Sequence, residues 1–186
     1  MPDTDDKAKD RMWALLLAGD YSNCLQLART VIEVRPDDWN ARMFEGESLL
    51  KLKDYQSAVS AFSECLRINP EFFPALASRG EAYFYTGDYD NALADVEEYL
   101  KYEGTPSVYQ LASVCLWKKG QTDQAYEYID IAITNGEQGN AYVQKAGFLE
   151  EDGEYREALK YYERGAEKLP NDEKVKGKIE KLKMYI

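Results

Sequence analysis

The sequence predicts an all-α solenoid, in which helix–turn–helix units stack on one another and a last helix caps the stack. A phrase of the type Gly-Asp-Tyr, with a small residue three positions after the tyrosine, recurs in full or degenerate form from Gly19, Lys53, Gly87, Gly120 and Gly153. These starting points lie 34, 34, 33 and 33 residues apart, a period typical of stacked helical hairpins. The composition, 45% hydrophobic and 31% charged, suits a folded protein with a real core.

Each unit consists of two predicted helices. An apolar-periodic stretch of about 14 residues ends at the Gly-Asp pair, which stops one helix and starts the next. The second helix ends near Pro36, Pro70 or Pro170, and two other joins are Thr105-Pro106, an N-cap with proline at the first helical position, and Asn135-Gly136, a C-cap. Helices this short are unstable alone, so the units must share a core. The predicted units are residues 5–38, 39–72, 73–105, 106–138 and 139–172, within a single domain.

Small and large residues alternate in step inside the units. Gly46 and Ala58 in the second unit, like Gly80 and Ala92 in the third, mark the points where two antiparallel helices approach closely. With the recurring prolines, this pattern resembles the tetratricopeptide repeat family over about residues 5–170. The resemblance implies a right-handed superhelix whose first helices line a concave groove for a partner protein. The first unit is the least typical, with Met12 and Cys24 at small positions.

The segment 173–186 is predicted to be the capping helix. Val175, Ile179, Leu182 and Ile186 recur on one face, and five lysines occupy the remainder. A basic amphipathic helix is also compatible with a membrane-surface or calmodulin-type segment. Because the apolar stripe is narrow and every solenoid needs its open end covered, the cap is favoured.

Charge and residue types exclude most catalytic chemistry. The chain has 23 Lys and Arg against 34 Asp and Glu, a net charge of -11, and no histidine, which removes histidine-based nucleophiles and histidine metal ligands. Cys24, Cys65 and Cys115 are odd in number and far apart, so they predict buried thiols rather than a disulfide framework or zinc site. We therefore expect no enzyme activity, cofactor or metal. Without a signal peptide or an apolar run long enough to span a bilayer, a cytoplasmic protein is expected.

The resemblance places the functional surface on the first helix of each unit. The positions that it assigns to the peptide-binding groove include Trp13, Asn40, Met43, Phe44, Phe84, Tyr85, Leu111, Trp117 and Gln144. An aromatic stripe at helical spacing is also the usual signature of a core, and that alternative is strongest for Trp13, Phe84 and Trp117. The carboxylate clamp by which some family members bind chaperones is not expected, because Trp13, Phe44, Pro74 and Ser78 replace its polar residues.

Three functions are compatible with such a groove. The leading one is a non-catalytic adaptor that holds an apolar peptide segment with basic flanks, attracted by the acidic surroundings. The alternative is a structural subunit whose groove mediates self-association. An RNA-binding helical repeat would need a basic groove, and the net charge of -11 argues against nucleic acid as partner.

Overall fold

A computed structural model describes residues 3–136 and 139–186, with side chains from residue 7 onward. Within these ranges the chain forms helices and no strand. The helices are α1 (Asp3–Leu17), α2 (Tyr21–Val34), α3 (Trp39–Lys51), α4 (Tyr55–Ile68), α5 (Pro74–Thr86), α6 (Tyr89–Leu100), α7 (Pro106–Lys118), α8 (Thr122–Gly136), α9 (Gly139–Glu151), α10 (Tyr155–Lys168) and α11 (Glu173–Lys183). The predicted all-helical fold class is confirmed. The grouping of five units and a cap into one domain stays a prediction.

The recurring Gly-Asp phrase is the turn between the two helices of a hairpin. Gly87 adopts a left-handed conformation, with φ 83°, that ends α5. Asp88 then caps α6, because its carboxylate accepts the backbone N–H of Asn91 at 3.2 Å. Lys53 adopts the same conformation, with φ 65°, where the phrase lacks glycine. The predicted signals that end one helix and begin the next therefore depend on the conformation and hydrogen bonds of a few consecutive residues.

The predicted joins between units differ in detail. Thr105 precedes α7 and Pro106 opens it, but the Thr105 hydroxyl makes no capping hydrogen bond and lies 3.2 Å from the Ser107 hydroxyl instead. Helix α8 runs through Asn135 to Gly136, and the two residues that follow lie outside the described part of the chain. Proline thus sets the start of α7 without help from a side-chain cap.

The chain divides into two compact units, Met1–Tyr102 and Glu103–Ile186. Unit 1 contains three hairpins, α1/α2, α3/α4 and α5/α6, in which the first helices α1, α3 and α5 contact one another in order. Its core includes a cluster around Met12, Cys24 and Ala28 and another around Leu49, Ala58 and Phe62. Unit 2 contains the hairpins α7/α8 and α9/α10 followed by α11.

Close helix contact in unit 1 occurs at the predicted small residues. A methyl group on Gly46 would lie 2.5 Å from a ring carbon of Phe62, and one on Gly80 would lie 2.9 Å from Val96 and 3.2 Å from the carbonyl oxygen of Ala92. Phe62, Val96 and Ala92 are fully buried. The hairpins can therefore pack at this distance only because these positions have little or no side chain.

Replacing Ala92 by leucine is expected to lower the free energy of unfolding by roughly 1–3 kcal/mol, because the larger side chain forces α5 and α6 apart. Chemical denaturation measures this change. Ala94→Leu is the matched control on the same helix, since Ala94 is exposed. Equal unfolding curves for the two variants would show that the facing residues are assigned wrongly.

Helix α11 covers the last hairpin of unit 2. Val175, Ile179 and Leu182 are buried in one cluster with residues of α9 and α10, namely Ala146, Ala158 and Tyr162. The prediction that Ile186 shares this face is wrong: the helix ends at Lys183, so Ile186 lies beyond it and is 47% exposed. Among the described helices, none combines the length and the apolar character needed to cross a lipid bilayer.

Candidate functional site

The first helices of unit 1 expose two aromatic rings that other rings support. Trp13 of α1 is 57% exposed and packs edge-on against Phe44, with 6.4 Å between the ring centroids. Tyr85 of α5 is 50% exposed and stacks on Tyr55, with a centroid distance of 4.6 Å. We call Trp13, Tyr55, Tyr85 and the exposed Leu17 the unit 1 aromatic face. These rings are held in place while much of their area remains in water.

Phe44 corrects the sequence-based site. It was predicted to line the groove, but it is 7% exposed and belongs to the core cluster around Met12. Trp13 of the neighbouring helix packs against its ring. Phe44 therefore supports the exposed indole ring and offers no surface of its own.

The other predicted positions of unit 1 are half-buried. Phe84 lies between the rings of Tyr85 and Tyr89, with centroid distances of 5.4 and 5.8 Å. Met43 packs against the core cluster around Phe62, and Asn40 lies near the start of α3. Phe84 thus contacts Tyr85, and Phe44 contacts Trp13. Part of each of these side chains is buried in unit 1.

Two carboxylates lie beside the unit 1 aromatic face. Glu47 accepts a hydrogen bond from the Ser78 hydroxyl at 2.6 Å, which connects α3 and α5. Burial raises the pKa of Glu81, the negative charge of Glu47 raises it further, and Lys51 acts against both. The pKa of Tyr85 is also raised, first by burial and then by the charge of Glu81. Lys51 already places one positive charge beside these acids, and its effect on the pKa of Glu81 exceeds that of Glu47.

Among the predicted groove residues of unit 2, Trp117 is held in place by its neighbours. The indole ring of Trp117 stacks on Phe148, with centroids 4.3 Å apart and an interplanar angle of 9°, and its N–H donates to Glu151 at 2.7 Å. Leu111 and Gln144 are half-buried on α7 and α9. The neighbouring Gln110 amide donates to the carbonyl of Asn140 at 3.3 Å. Trp117 thus joins α7 to α9, which favours a packing role for this ring.

Comparison with known protein families decides the assignment. The tetratricopeptide repeat model matches residues 10–71 and 78–140, which is more than half of the chain. The chain belongs to the tetratricopeptide repeat family. The fold of that family implies protein–protein interaction or scaffolding, and its members are generally non-catalytic. No curated protein matches the chain significantly.

Solved tetratricopeptide structures share the fold at low sequence identity. MamA from Desulfovibrio magneticus RS-1 superposes with a TM-score of 0.80 at 18% identity, covering 93% of this chain and 99% of that one. TTC0263, a thermophilic tetratricopeptide protein of Thermus thermophilus, gives 0.77 at 17% identity, covering 96% and 98%. The Cut9–Hcn1 hetero-tetramer of the APC/C gives 0.74 at 14%, covering 86% of this chain and 31% of that one. The predicted solenoid class is confirmed.

Sequence reasoning missed a set of partly buried charged contacts between helices of this tetratricopeptide chain. Arg79 donates to both carboxylate oxygens of Asp95 at 2.7 Å and to the Ser63 hydroxyl at 3.1 Å, connecting α5 to α6 and α4. At the corresponding position of the preceding hairpin, Glu45 accepts from Arg29 at 3.2 Å and from Arg42 at 3.0 Å. The available signal was a charged residue directly before the small glycine of two hairpins, in Glu45-Gly46 and Arg79-Gly80.

The cysteines of the chain are buried free thiols. Cys24 donates to the carbonyl oxygen of Met12 at 3.4 Å. Burial raises the pKa of Cys65 and of Cys115 to about 12, so both are protonated near neutral pH. Among the described residues, no group of Cys, Asp and Glu side chains converges as a metal site would require. The unit 1 aromatic face therefore offers a binding partner contact area and charge.

Proposed function

We propose that this protein is a non-catalytic adaptor that binds a peptide segment of a partner protein on the unit 1 aromatic face. The observation that supports it is the pair of exposed rings, Trp13 and Tyr85, each held by a second ring. A ring fixed before binding loses little conformational freedom in the complex, so its desolvation contributes fully to affinity. Tryptophan and tyrosine are also the residues that dominate binding energy at protein interfaces.

The charges beside this face support one chemistry of the partner segment. Glu47 and Glu81 lie on the same layer of helices as the exposed rings, and the chain as a whole carries a net charge of -11. We infer that the partner segment is apolar with Lys or Arg on its flanks. Added salt should then slow association more than it speeds dissociation. A cytoplasmic location is part of the proposal and is supported by the three free thiols, which a reducing compartment preserves.

Trp13→Ala and Tyr85→Ala are each expected to weaken partner binding by roughly 1–3 kcal/mol, because each removes a supported, solvent-exposed ring. Tyr102→Ala is the matched control. Tyr102 is also an exposed tyrosine of unit 1, 55% accessible, and it stacks on Phe73 with 3.5 Å between the ring centroids. It follows α6 and is not part of the unit 1 aromatic face. The measurement is quantitative mass spectrometry of proteins captured from the source cell by each variant, then calorimetric titration of the partner segment.

Melting temperatures of the same variants separate binding from packing. If Trp13 and Tyr85 serve chiefly as core, their removal should lower the melting temperature while partner affinity is retained, and that result would exclude the proposed face. Light scattering on the unmodified chain tests the alternative function. A stable oligomer that Trp13→Ala dissociates would show that the face mediates self-assembly instead of adaptor binding.

A further inference from the structure

Two further aromatic rings of unit 1 lie at a turn between hairpins, away from the unit 1 aromatic face. Trp39 begins α3, and its ring packs on Phe72 with 4.6 Å between the centroids and an interplanar angle of 45°. Both side chains are half-buried, so part of each ring faces water. Tyr85, by contrast, lies one residue before the end of α5. Because a first helix of 13 residues is about 20 Å long, the two surfaces lie at opposite ends of these helices.

The start of a helix does not by itself explain Phe72. Helices α3 and α11 begin after an aspartate, Asp38 or Asp172, whose carboxylate accepts backbone N–H groups. Phe72 stands 34 residues after Asp38, and α5 begins without a side-chain cap. An apolar ring that is partly in water thus occupies the position of a polar cap. A local rule broken without a gain in capping is typical of functional positions.

The Trp39 ring presents an unused hydrogen-bond donor. Its indole N–H makes no hydrogen bond with the described part of the chain, whereas the indole N–H of Trp117 donates to Glu151. The Trp39 nitrogen is also not one of the buried polar atoms that lack a partner, so it is accessible to water. A ligand that covers this ring must therefore bring an acceptor next to its apolar groups.

A shallow depression lies directly beside Trp39. It has a volume of about 420 Å³ and is formed by residues 35–40. The last turn of unit 2 forms a depression of about 660 Å³ over residues 168–174, and that segment contains no aromatic residue. A turn between helices thus supplies the depression, and Trp39 supplies an aromatic wall that the other turn lacks.

The charge around this depression is negative. Arg35, the cation that lines it, pairs with Asp38 at 3.0 Å. Asp37 lies 3.6 Å from Arg67, but their side chains are 83% and 60% exposed, so this ion pair contributes little. Glu71 is exposed and makes no ion pair with the described residues. The residue that complements this surface is therefore a lysine or an arginine.

A polyproline II segment combines the required features. Proline rings are apolar and dock on aromatic side chains, and the segment is already extended before it binds. Its backbone carbonyls make no internal hydrogen bonds, so one of them can accept the free indole N–H. An α-helical segment lacks this property, because its carbonyls are bonded within the helix.

We propose that Trp39, Phe72, Asp37 and Glu71 form a binding site, the Trp39 site, for a proline-rich segment of a partner protein with Lys or Arg beside the prolines. The proline rings pack on Trp39 and Phe72, and the Trp39 indole N–H donates to a backbone carbonyl of the segment. The basic residue lies near Asp37 and Glu71. This goes beyond the proposed function, because it uses the other end of the first helices and a different kind of segment.

Nuclear magnetic resonance titration of the 15N-labelled full chain tests the Trp39 site. Each tryptophan gives its own indole N–H signal, which Trp→Phe variants assign. The probes are acetylated, amidated Gly-Pro-Pro-Pro-Pro-Arg-Gly, the same peptide with Ala for every Pro, and the same with Glu for Arg. We expect the first to move the Trp39 indole signal and to bind roughly two- to tenfold more tightly than the alanine peptide. At low salt it should bind roughly two- to fivefold more tightly than the glutamate peptide.

Matched variants locate the binding. Trp39→Phe keeps an aromatic ring but removes the donor, and it should weaken binding roughly two- to tenfold. Glu71→Lys should reduce the preference for the arginine peptide, whereas Glu127→Lys, the same charge change on the exposed side of α8, should not. Trp13→Phe should leave the titration unchanged. If Trp39→Phe does not fold, Phe72→Leu replaces it and should weaken binding by removing the second ring.

The Trp39 site is overturned if no peptide moves the Trp39 signal, if the alanine peptide binds as tightly, or if Trp39→Phe binds as the unmodified chain does. Movement of the Trp13 signal instead would place proline binding on the unit 1 aromatic face. A Trp39 signal that shifts with protein concentration alone would show that a second copy occupies the site. None of these results decides the capture experiment, which depends on Trp13 and Tyr85.

Discussion

Asp95→Ala is expected to lower the free energy of unfolding by about 3 kcal/mol, because it leaves the Arg79 guanidinium in the interior without its counter-charge. The side chains of Arg79 and Asp95 are only 21% and 11% exposed. The two hydrogen bonds from Arg79 to Asp95 raise the pKa of Arg79, while burial opposes them. Arg79 thus depends on a carboxylate that α6 contributes, and urea denaturation of the variant measures the loss.

A double variant separates the cost of an unpaired charge from the value of the pair. Arg79→Met combined with Asp95→Leu removes both charges and keeps apolar volume, so we expect it to recover most of the stability lost in Asp95→Ala. Glu157→Ala is the control for an exposed ion pair, since Glu157 contacts Lys160 at 2.7 Å on the surface of α10. It should change stability by less than about 1 kcal/mol. A double variant as unstable as Asp95→Ala would show that the ion pair itself holds these helices together.

The hairpin architecture was predictable because its signals are local. The left-handed turn at Gly87 and the cap at Asp88 depend on residues inside one phrase, and the small residues Gly46 and Gly80 recur in register with them. Such signals can be recognised without knowing any contact between residues that are far apart in the sequence. The contact of Arg79 with Asp95 spans 16 residues, and no local rule pairs a given arginine with one of many acids. The sequence therefore indicated where helices approach but not which polar groups meet there.

For the candidate site, the sequence predicts a helix and a register but not which side chains are exposed. Register placed Trp13, Phe44 and Tyr85 on the first helices, but which ring is covered depends on the neighbouring helix. Trp13 covers Phe44, whereas Tyr85 keeps one side in water because Tyr55 supports only the other. The packing of α11 over α9 and α10 could be predicted only as a cap, and the residues that it covers, such as Ala146 and Tyr162, could not be inferred from its own sequence. Which side chains are exposed depends on how the helices pack together, and the residue pattern of a single helix does not determine it.

Truncation after Asp172 is expected to loosen the last hairpin of unit 2 while the hairpins of unit 1 keep their stability. Removal of α11 takes Val175, Ile179 and Leu182 out of the cluster that they share with Ala146 and Tyr162, and it exposes the apolar faces of α9 and α10. Glu150 also loses the two hydrogen bonds from Lys178. Backbone amides over 141–166 should therefore exchange about tenfold faster or more.

Hydrogen exchange with mass spectrometry measures the amide exchange rates of both units in one experiment. Amides over 55–100 belong to unit 1 and should exchange as in the unmodified chain, because α11 packs on the last hairpin of unit 2. Truncation after Lys183 is the matched control: it removes only Met184, Tyr185 and Ile186, which are 80%, 70% and 47% exposed, and protection of α9 and α10 should persist. Equal exchange in the two truncated chains would mean that α11 contributes nothing to the hairpin beneath it. The buried face of α11 predicts the opposite, since three apolar side chains at or below 8% exposure cannot be removed without leaving their partners in water.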